Sequence, residues 1–338
     1  MKVKLQVHLN TLVLKHIFTI SRGSRDAVDS IIVSLHSNDH TGYGEATANP
    51  YYHSTTQQMA DLILAKQSDI EHFEWDDPQE FYNWIKKEFP HQAFIQCTLT
   101  NAAYDLKARI EGKSLRSYLG LTENPNLISN YTIGLGTAEE MLSKMKEQPW
   151  PIYKIKLGTS EDMKLIRALR KETKSSFRID ANCGWTAEET IERSFELKEL
   201  GVEFIEQPLP ADHWEEMYRV KKESALPLIA DESCCVLSDV SKCKNAFHGI
   251  NIKLMKCGGI YNALTMISEA KNNNLNVMMG CMTESSIGIS TIAQFASSLD
   301  YVDLDGAMLV KNDPAEGVKL IDGKIIYSNI LGSGARLL

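Results

Sequence analysis

Three carboxylates and two lysines stand at spacings that could carry proton-transfer chemistry. Asp180, Glu206 and Asp231 each close a short apolar run, and successive members are 26 and 25 residues apart. Lys156 lies 24 residues before Asp180, and Lys253 lies 22 residues after Asp231. Carboxylates that end adjacent parallel strands stand about 4.8 Å apart, near enough to share one ion. Three hard oxygen donors with no His or Cys beside them suit Mg2+ better than Zn2+. Each acid taken singly could instead cap the helix that follows, as Asp180 could for a helix at 187–199. Three acids at one register favour the shared ion.

Lys154 and Lys156 are two residues apart in an extended run and so share a face. Two ammonium groups facing a buried interior need a reason. Either the carboxylates neutralise them or the pair is functional. A neighbouring positive charge and a nearby cation disfavour the ammonium form and bring a lysine toward the working pH as a base. Lys253 is the second candidate, facing Lys156 across the site. Lys256 falls in a loop before Gly258 and Gly259 and is expected to be solvated. Two bases on opposite sides of a metal-bound carboxylate could remove an α-proton from one face and return it to the other, inverting that carbon. Asp303 and Asp305, in YVDLDGAML, are expected on a last strand with their side chains on one face. Two acids at a mouth that already holds a cation suggest a second cationic guest, such as an α-ammonium group. The alternative is that one caps the next segment and the other pairs with a lysine.

The elements that must position these residues follow from the pattern. From about residue 128, short apolar runs alternate with helical stretches such as 160–173, 187–199, 213–223, 260–271 and 286–298. A period near 25 residues is one strand, one helix and two short loops. This is the parts list of an α/β fold, a (β/α)8-type barrel, with a seven-unit (β/α)7β barrel equally allowed. In such barrels the carboxyl ends of the strands converge on one mouth. Residues 1–120 read differently: strands at 2–9 and 29–36, then helices at about 54–68, 78–87 and 91–112, the last amphipathic and stopped by Gly112. That order suggests an α+β capping domain, with Ser21, Arg22, Gly23, Ser24 and Arg25 in a mobile loop at 16–29. The barrel is expected over 121–325, and residues 326–338 are expected to return to the cap. GLGTAE (134–139) looks like a partial dinucleotide fingerprint, but Glu139 stands where a third glycine belongs; Thr137 is expected to cap a helix.

Composition narrows the classes. The chain has 338 residues, 43% of them hydrophobic, and a formal net charge of −8, a poor basis for gripping a nucleic-acid backbone. No apolar stretch reaches the roughly 18 residues of a membrane span. The start, MKVKLQVHLN, reads as a first strand and not as a signal peptide. Seven cysteines, odd in number and irregularly spaced, are expected as free thiols in a reducing compartment, the cytoplasm. Length and fold permit a homo-oligomer without requiring one.

The motifs K-I-K (154–156), D-A-N-C-G-W (180–185), E-Q-P (206–208), D-E-S (231–233) and N-I-K-L-M-K-C-G-G-I (251–260) resemble those of the enolase superfamily, in its muconate-lactonising-enzyme-like subgroup. TGYGEA (41–46) and AAYDLKARIEGK (102–113) are similar to the family's capping domain. The resemblance implies Mg2+ on Asp180, Glu206 and Asp231, with Lys156 and Lys253 as the acid/base pair. Lys154 would touch the substrate carboxylate and depress the pKa of Lys156. The D-x-D at 303–305 is similar to the motif by which dipeptide epimerases hold the substrate amino terminus. By the same resemblance Thr132, Cys281 and Thr283 would line the substrate pocket. Members acting on Ala-Glu carry an arginine in the mobile loop; that position looks like Gly23 here, with Arg22 and Arg25 on either side. The resemblance therefore implies a Mg2+-dependent epimerase acting on the second residue of a dipeptide. A small or neutral second residue, as in Ala-Ala, is favoured over Ala-Glu. An N-acylamino acid racemase, a succinylbenzoate synthase or a muconate cycloisomerase is the alternative.

Overall fold

The computed structural model describes residues 1–338. The chain opens with an antiparallel sheet of β1 (Lys4–Ile20), β2 (Gly23–Ser37) and β3 (His40–Thr47). Four helices and a short fifth follow: α1 (Thr56–Ala65), α2 (Gln67–His72), α3 (Pro78–Glu88), α4 (Ala93–Ile110) and α5 (Leu115–Tyr118). Residues 16–29, expected as a loop, are mostly the end of one hairpin. Phe18 pairs with Arg25, Thr19 with Ser24 and Ile20 with Gly23, after a break in register between Val13 and Phe18. Polar side chains there mark solvent exposure, and backbone pairing holds the strands together.

Helix α4 was expected to be amphipathic but is buried nearly all round. One side packs on β3 and the other meets the barrel. Close approach is possible because β3 carries glycine at 42 and 44. A methyl group on Gly44 would lie 2.0 Å from the Thr98 carbonyl oxygen, and one on Gly42 2.2 Å from that of Ala102.

Eight parallel strands form the second unit in sequential order: β4 (Tyr131–Ile133), β5 (Ile152–Lys156), β6 (Ser176–Asp180), β7 (Val202–Glu206), β8 (Leu228–Ala230), β9 (Gly249–Ile252), β10 (Asn276–Met279) and β11 (Tyr301–Val302). The helices between them are α6 (Ala138–Glu147), α7 (Asp162–Glu172), α8 (Ala187–Glu199), α9 (Trp214–Glu223) and α10 (Leu237–Ala246). After β9 come the single turn α11 (Leu254–Cys257) and α12 (Ile260–Asn272), and after β10 comes α13 (Ser286–Ala293). A parallel bridge between Ser129 and Val302 brings the last strand back to the first, and Ser129 Oγ accepts from the Leu304 N–H. Seven crossovers and a final strand followed only by a 3-10 turn make this the (β/α)7β form. Thr137 and Thr186 cap α6 and α8 with reciprocal Glu140 and Glu189. Asp180 is thus not a helix cap.

The chain ends in β12 (Ala315–Glu316), β13 (Lys319–Ile321), β14 (Lys324–Ile326) and β15 (Arg336–Leu337). These last residues lie against the cap: Arg109 of α4 donates to the Ala335 carbonyl, and the Ser333 N–H donates to Asp105. A second link runs from cap to barrel. The buried Glu45 carboxylate of β3 accepts from Ser30 Oγ, from the N–H and Oγ of Ser285, and from the Gly288 N–H at the start of α13. Burial pushes its carboxyl up, and those donors pull against the shift.

If the glycine close-approach sets the cap's packing, Gly44→Ala must push α4 off β3. A loss of about 1–3 kcal/mol is expected, read as a lower urea midpoint of unfolding.

Candidate active site

Strand register builds the site. Lys156 sits beside Asp180 across β5 and β6, and Asp180 beside Glu206 across β6 and β7. Asp231 follows β8 directly and completes the row. One oxygen from each of Asp180, Glu206 and Asp231 lies within 4.8 Å of the others.

The two oxygens of each carboxylate are used differently. Asp180 Oδ1 accepts from the Asn182 N–H at 3.0 Å, Glu206 Oε1 from Asn251 Nδ2 at 2.8 Å, and Asp231 Oδ1 from Lys256 Nζ at 2.6 Å. The second oxygens meet only lysines. Asp180 Oδ2 lies 2.6 Å from Lys156 and 3.2 Å from Lys154, Glu206 Oε2 2.8 Å from Lys154, and Asp231 Oδ2 2.7 Å from Lys253. Glu206 Oε2 is buried and, despite that short ion pair, accepts no well-directed hydrogen bond. Three carboxylates with one oxygen anchored and one left toward a common centre fit a hard divalent cation, and no His or Cys competes.

Burial penalises the charged form of all three acids. Lys156 and Lys154 more than offset this at Asp180 and hold its carboxyl down at about 2. At Asp231 the ammonium groups of Lys253 and Lys256 win over burial and keep it well below the usual carboxylate range. At Glu206 burial prevails over Lys154 and lifts the carboxyl to about 7. Burial works against the charge on Lys154 too, but Glu206, Asp303 and Asp180 raise it well above an ordinary lysine. Lys253 is likewise raised, with Asp231 outweighing burial.

Lys256 corrects the expectation of a solvated side chain. It is 3% exposed, on α11, and its ammonium donates to Asp231 Oδ1 and to the carbonyls of Asp231, Cys234 and Asn251. Gly258 and Gly259 let the chain turn directly after α11, with φ of 87° and 110°, which folds the lysine inward. Asp303 and Asp305 also differ from expectation. The last strand ends at Val302, so both lie in the segment beyond it. Asp303 pairs with Lys154 at 3.1 Å and accepts from Asn130 Nδ2 at 2.8 Å; Asp305 accepts from the Thr132 N–H. Neither makes a helix-capping bond. Burial and the adjacent Asp303 charge push Asp305 well above the usual carboxylate range.

One cavity of about 590 Å³ opens above the triad. Lys154, Lys156, Asp231, Lys253, Asp303 and Asp305 line it, as do Thr132, Cys281 and Thr283; Asp180 and Glu206 lie beneath. The cap closes one side with Arg22, Gly23, Arg25, Tyr51 and Tyr52. Arg22 donates to the Asn182 carbonyl at 2.9 Å and to Glu232 Oε1 at 2.6 Å, and lies 4.6 Å from the Tyr51 ring centroid. Arg25 lines the cavity half-buried and has no ion-pair partner; burial and the nearby Arg22 lower its pKa. Asn182 and Glu232 were not among the expected site residues, although each sits inside one of the sequence motifs. Their signal was position alone, two residues after Asp180 and one after Asp231.

Residues 136–334 match the model of a family described as enolase C-terminal domain-like. The chain is 53% identical to an L-Ala-D/L-amino acid epimerase of Maribacter, covering 97% of each chain. It is 51% identical to one of Flavobacterium johnsoniae, covering 99% of this chain and all of the relative. A crystal structure of a dipeptide epimerase from Cytophaga hutchinsonii, complexed with Mg and D-Ala-L-Val, superposes with a TM-score of 0.93 at 26% identity, covering 100% of this chain and 96% of that one.

Removing one partner of a buried ion pair strands the other. Lys256→Met is expected to cost about 3–5 kcal/mol, read by urea denaturation. A midpoint equal to that of the native protein would restore the solvated reading.

Proposed function

This chain belongs to the enolase C-terminal domain-like family, and on that premise we propose that it is a Mg2+-dependent dipeptide epimerase. It acts on the α-carbon of the carboxy-terminal residue. The observation that carries this reading is the placement of Lys156 and Lys253. They rise from β5 and the end of β9, four strands apart in a ring of eight, on opposite sides of the acid triad and under one cavity.

The second oxygens of Asp180, Glu206 and Asp231 would hold the metal. When bound, Mg2+ offsets the negative charge that builds on the substrate carboxylate as the α-proton leaves. The chain's own groups do the rest. A neutral amine on one lysine takes the α-proton; the C–H bond breaks, an N–H bond forms, and the electron pair passes into the carboxylate. The ammonium of the other lysine then gives a proton to the opposite face and is left neutral. Lys154 keeps a fixed positive charge beside Lys156. Asp303 and Asp305 receive the free amino terminus, with Thr132, Cys281 and Thr283 along the walls. The odd set of seven cysteines, all free, supports a cytoplasmic location.

A small or neutral second residue, as in Ala-Ala, is favoured because Arg22 is already committed to Glu232 and Asn182 and Gly23 offers no side chain. One observation favours a second reading: the unpaired Arg25 could meet an acidic side chain, as in Ala-Glu. Initial rates on Ala-Ala and Ala-Glu separate the two. If the neutral reading holds, Arg25→Ala leaves the ratio of kcat/KM values unchanged. If Arg25 reads the side chain, Ala-Glu alone loses about tenfold or more, ~1.4 kcal/mol per decade.

The two-base reading is tested by NMR in D2O. Lys156→Ala and Lys253→Ala are each expected to abolish epimerisation. Each should still wash out the α-proton of one diastereomer, and the two variants should differ in which one. Exchange of both diastereomers by a single variant would sink the assignment. EDTA should stop all exchange, and Mg2+ should restore it.

A further inference from the structure

Two buried oxygen acceptors on residues that line the main cavity receive no hydrogen bond from the protein. Glu232 follows Asp231 directly, and its side chain is 2% exposed. Its Oε1 takes Arg22, while its Oε2 is buried and without a donor. Asn182 stands two residues after Asp180 and is 5% exposed. Its N–H anchors Asp180 Oδ1, while its own Oδ1 is buried and without a donor. Both residues line the main cavity together with Asp231, Lys156 and Lys253. Arg22 ties them to each other, since one guanidinium serves both the Asn182 carbonyl and Glu232.

A buried acceptor left unpaired costs about 1–3 kcal/mol, so two of them on one wall need a donor. The donor must fit between acidic groups and offer hydrogens outward. Water around a divalent cation has that form: its oxygen faces the ion and both hydrogens point away. Mg2+ gives up such water reluctantly and usually keeps several.

We propose that Glu232 Oε2 and Asn182 Oδ1 accept hydrogen bonds from water in the hydration shell of the cation held by Asp180, Glu206 and Asp231. They are positioning residues, acting on the ion and not on the dipeptide. The inference rests on the metal reading above. Asn182 has φ +46°, a left-handed conformation that Asn and Gly tolerate best. Arg22 then has a second effect, because by occupying Glu232 Oε1 it leaves one oxygen free to face the ion.

The test is calorimetric titration of Mg2+ into EDTA-stripped protein with no dipeptide present. Glu232→Gln cannot offer its one amide oxygen to Arg22 and to water together. Asn182→Gly removes the amide and keeps the left-handed backbone. Each variant is expected to raise the Mg2+ Kd about 10–100-fold. With Mn2+ in place of Mg2+, oxygen-17 relaxation should show a shorter residence time for ion-bound water, a signature that mere loosening of the fold does not give. Folded Glu232→Gln and Asn182→Gly variants with native Mg2+ affinity would overturn this inference alone. A native protein that takes up no Mg2+ would overturn the metal reading as well.

Discussion

The structure depends on how four buried carboxylates and four lysines share a volume with little water. Asp180, Glu206, Asp231 and Asp303 face the buried Lys154, Lys156 and Lys256 and the partly buried Lys253. In a medium of low dielectric, none of these charges is tolerable alone. The solution is a division of labour within each acid of the triad. One oxygen is tied to a group that serves only to anchor it, whether a backbone N–H, an amide, or the sequestered Lys256 ammonium. The other is left toward the centre, where it can exchange a lysine for a cation. Lys156 and Lys253 can therefore be released without leaving an acid wholly unpartnered.

The barrel makes this division repeatable. Parallel strands in sequential order bring residues some 25 positions apart into register, so successive strand ends contribute successive groups. The cap supplies what the strands cannot, namely a wall above the mouth. Its sheet and α4 are held close by two glycines and joined to α13 by Glu45, whose donors begin right after the cavity segment 281–283. The geometry of the mouth and the packing of the cap are thus one mechanical problem.

Much of this could be read from residue order. Lys156, Asp180, Glu206, Asp231 and Lys253 were legible because the barrel repeat is regular and each closes an apolar run. Asp303 and Asp305 were legible as a pair but not as residues beyond the strand, since a two-residue strand leaves no periodicity to measure. Lys256 was misread because a lysine beside two glycines looks like a turn. Only the fold shows that the turn doubles back over Asp231. The hairpin at 16–29 was hidden because its pairing is made by backbone, which polar side chains do not report. Glu232 and Asn182 were hidden for a different reason: an acceptor without a donor is visible only once every neighbour has been placed.

The bonds from Arg109 to Ala335 and from Asp105 to Ser333 join residues 226 and 228 positions apart. On a ribosome, α4 emerges long before the segment whose Ser333 N–H completes the bonding of its buried aspartate, which Tyr43 and Arg109 already serve from within the cap. The barrel must be made in full between the two. The cap helix is thus synthesised before the barrel and completed after it, and the nascent chain carries an open seam along α4 until residues 333–335 arrive. Order of assembly, as much as stability, is written into that pair of bonds.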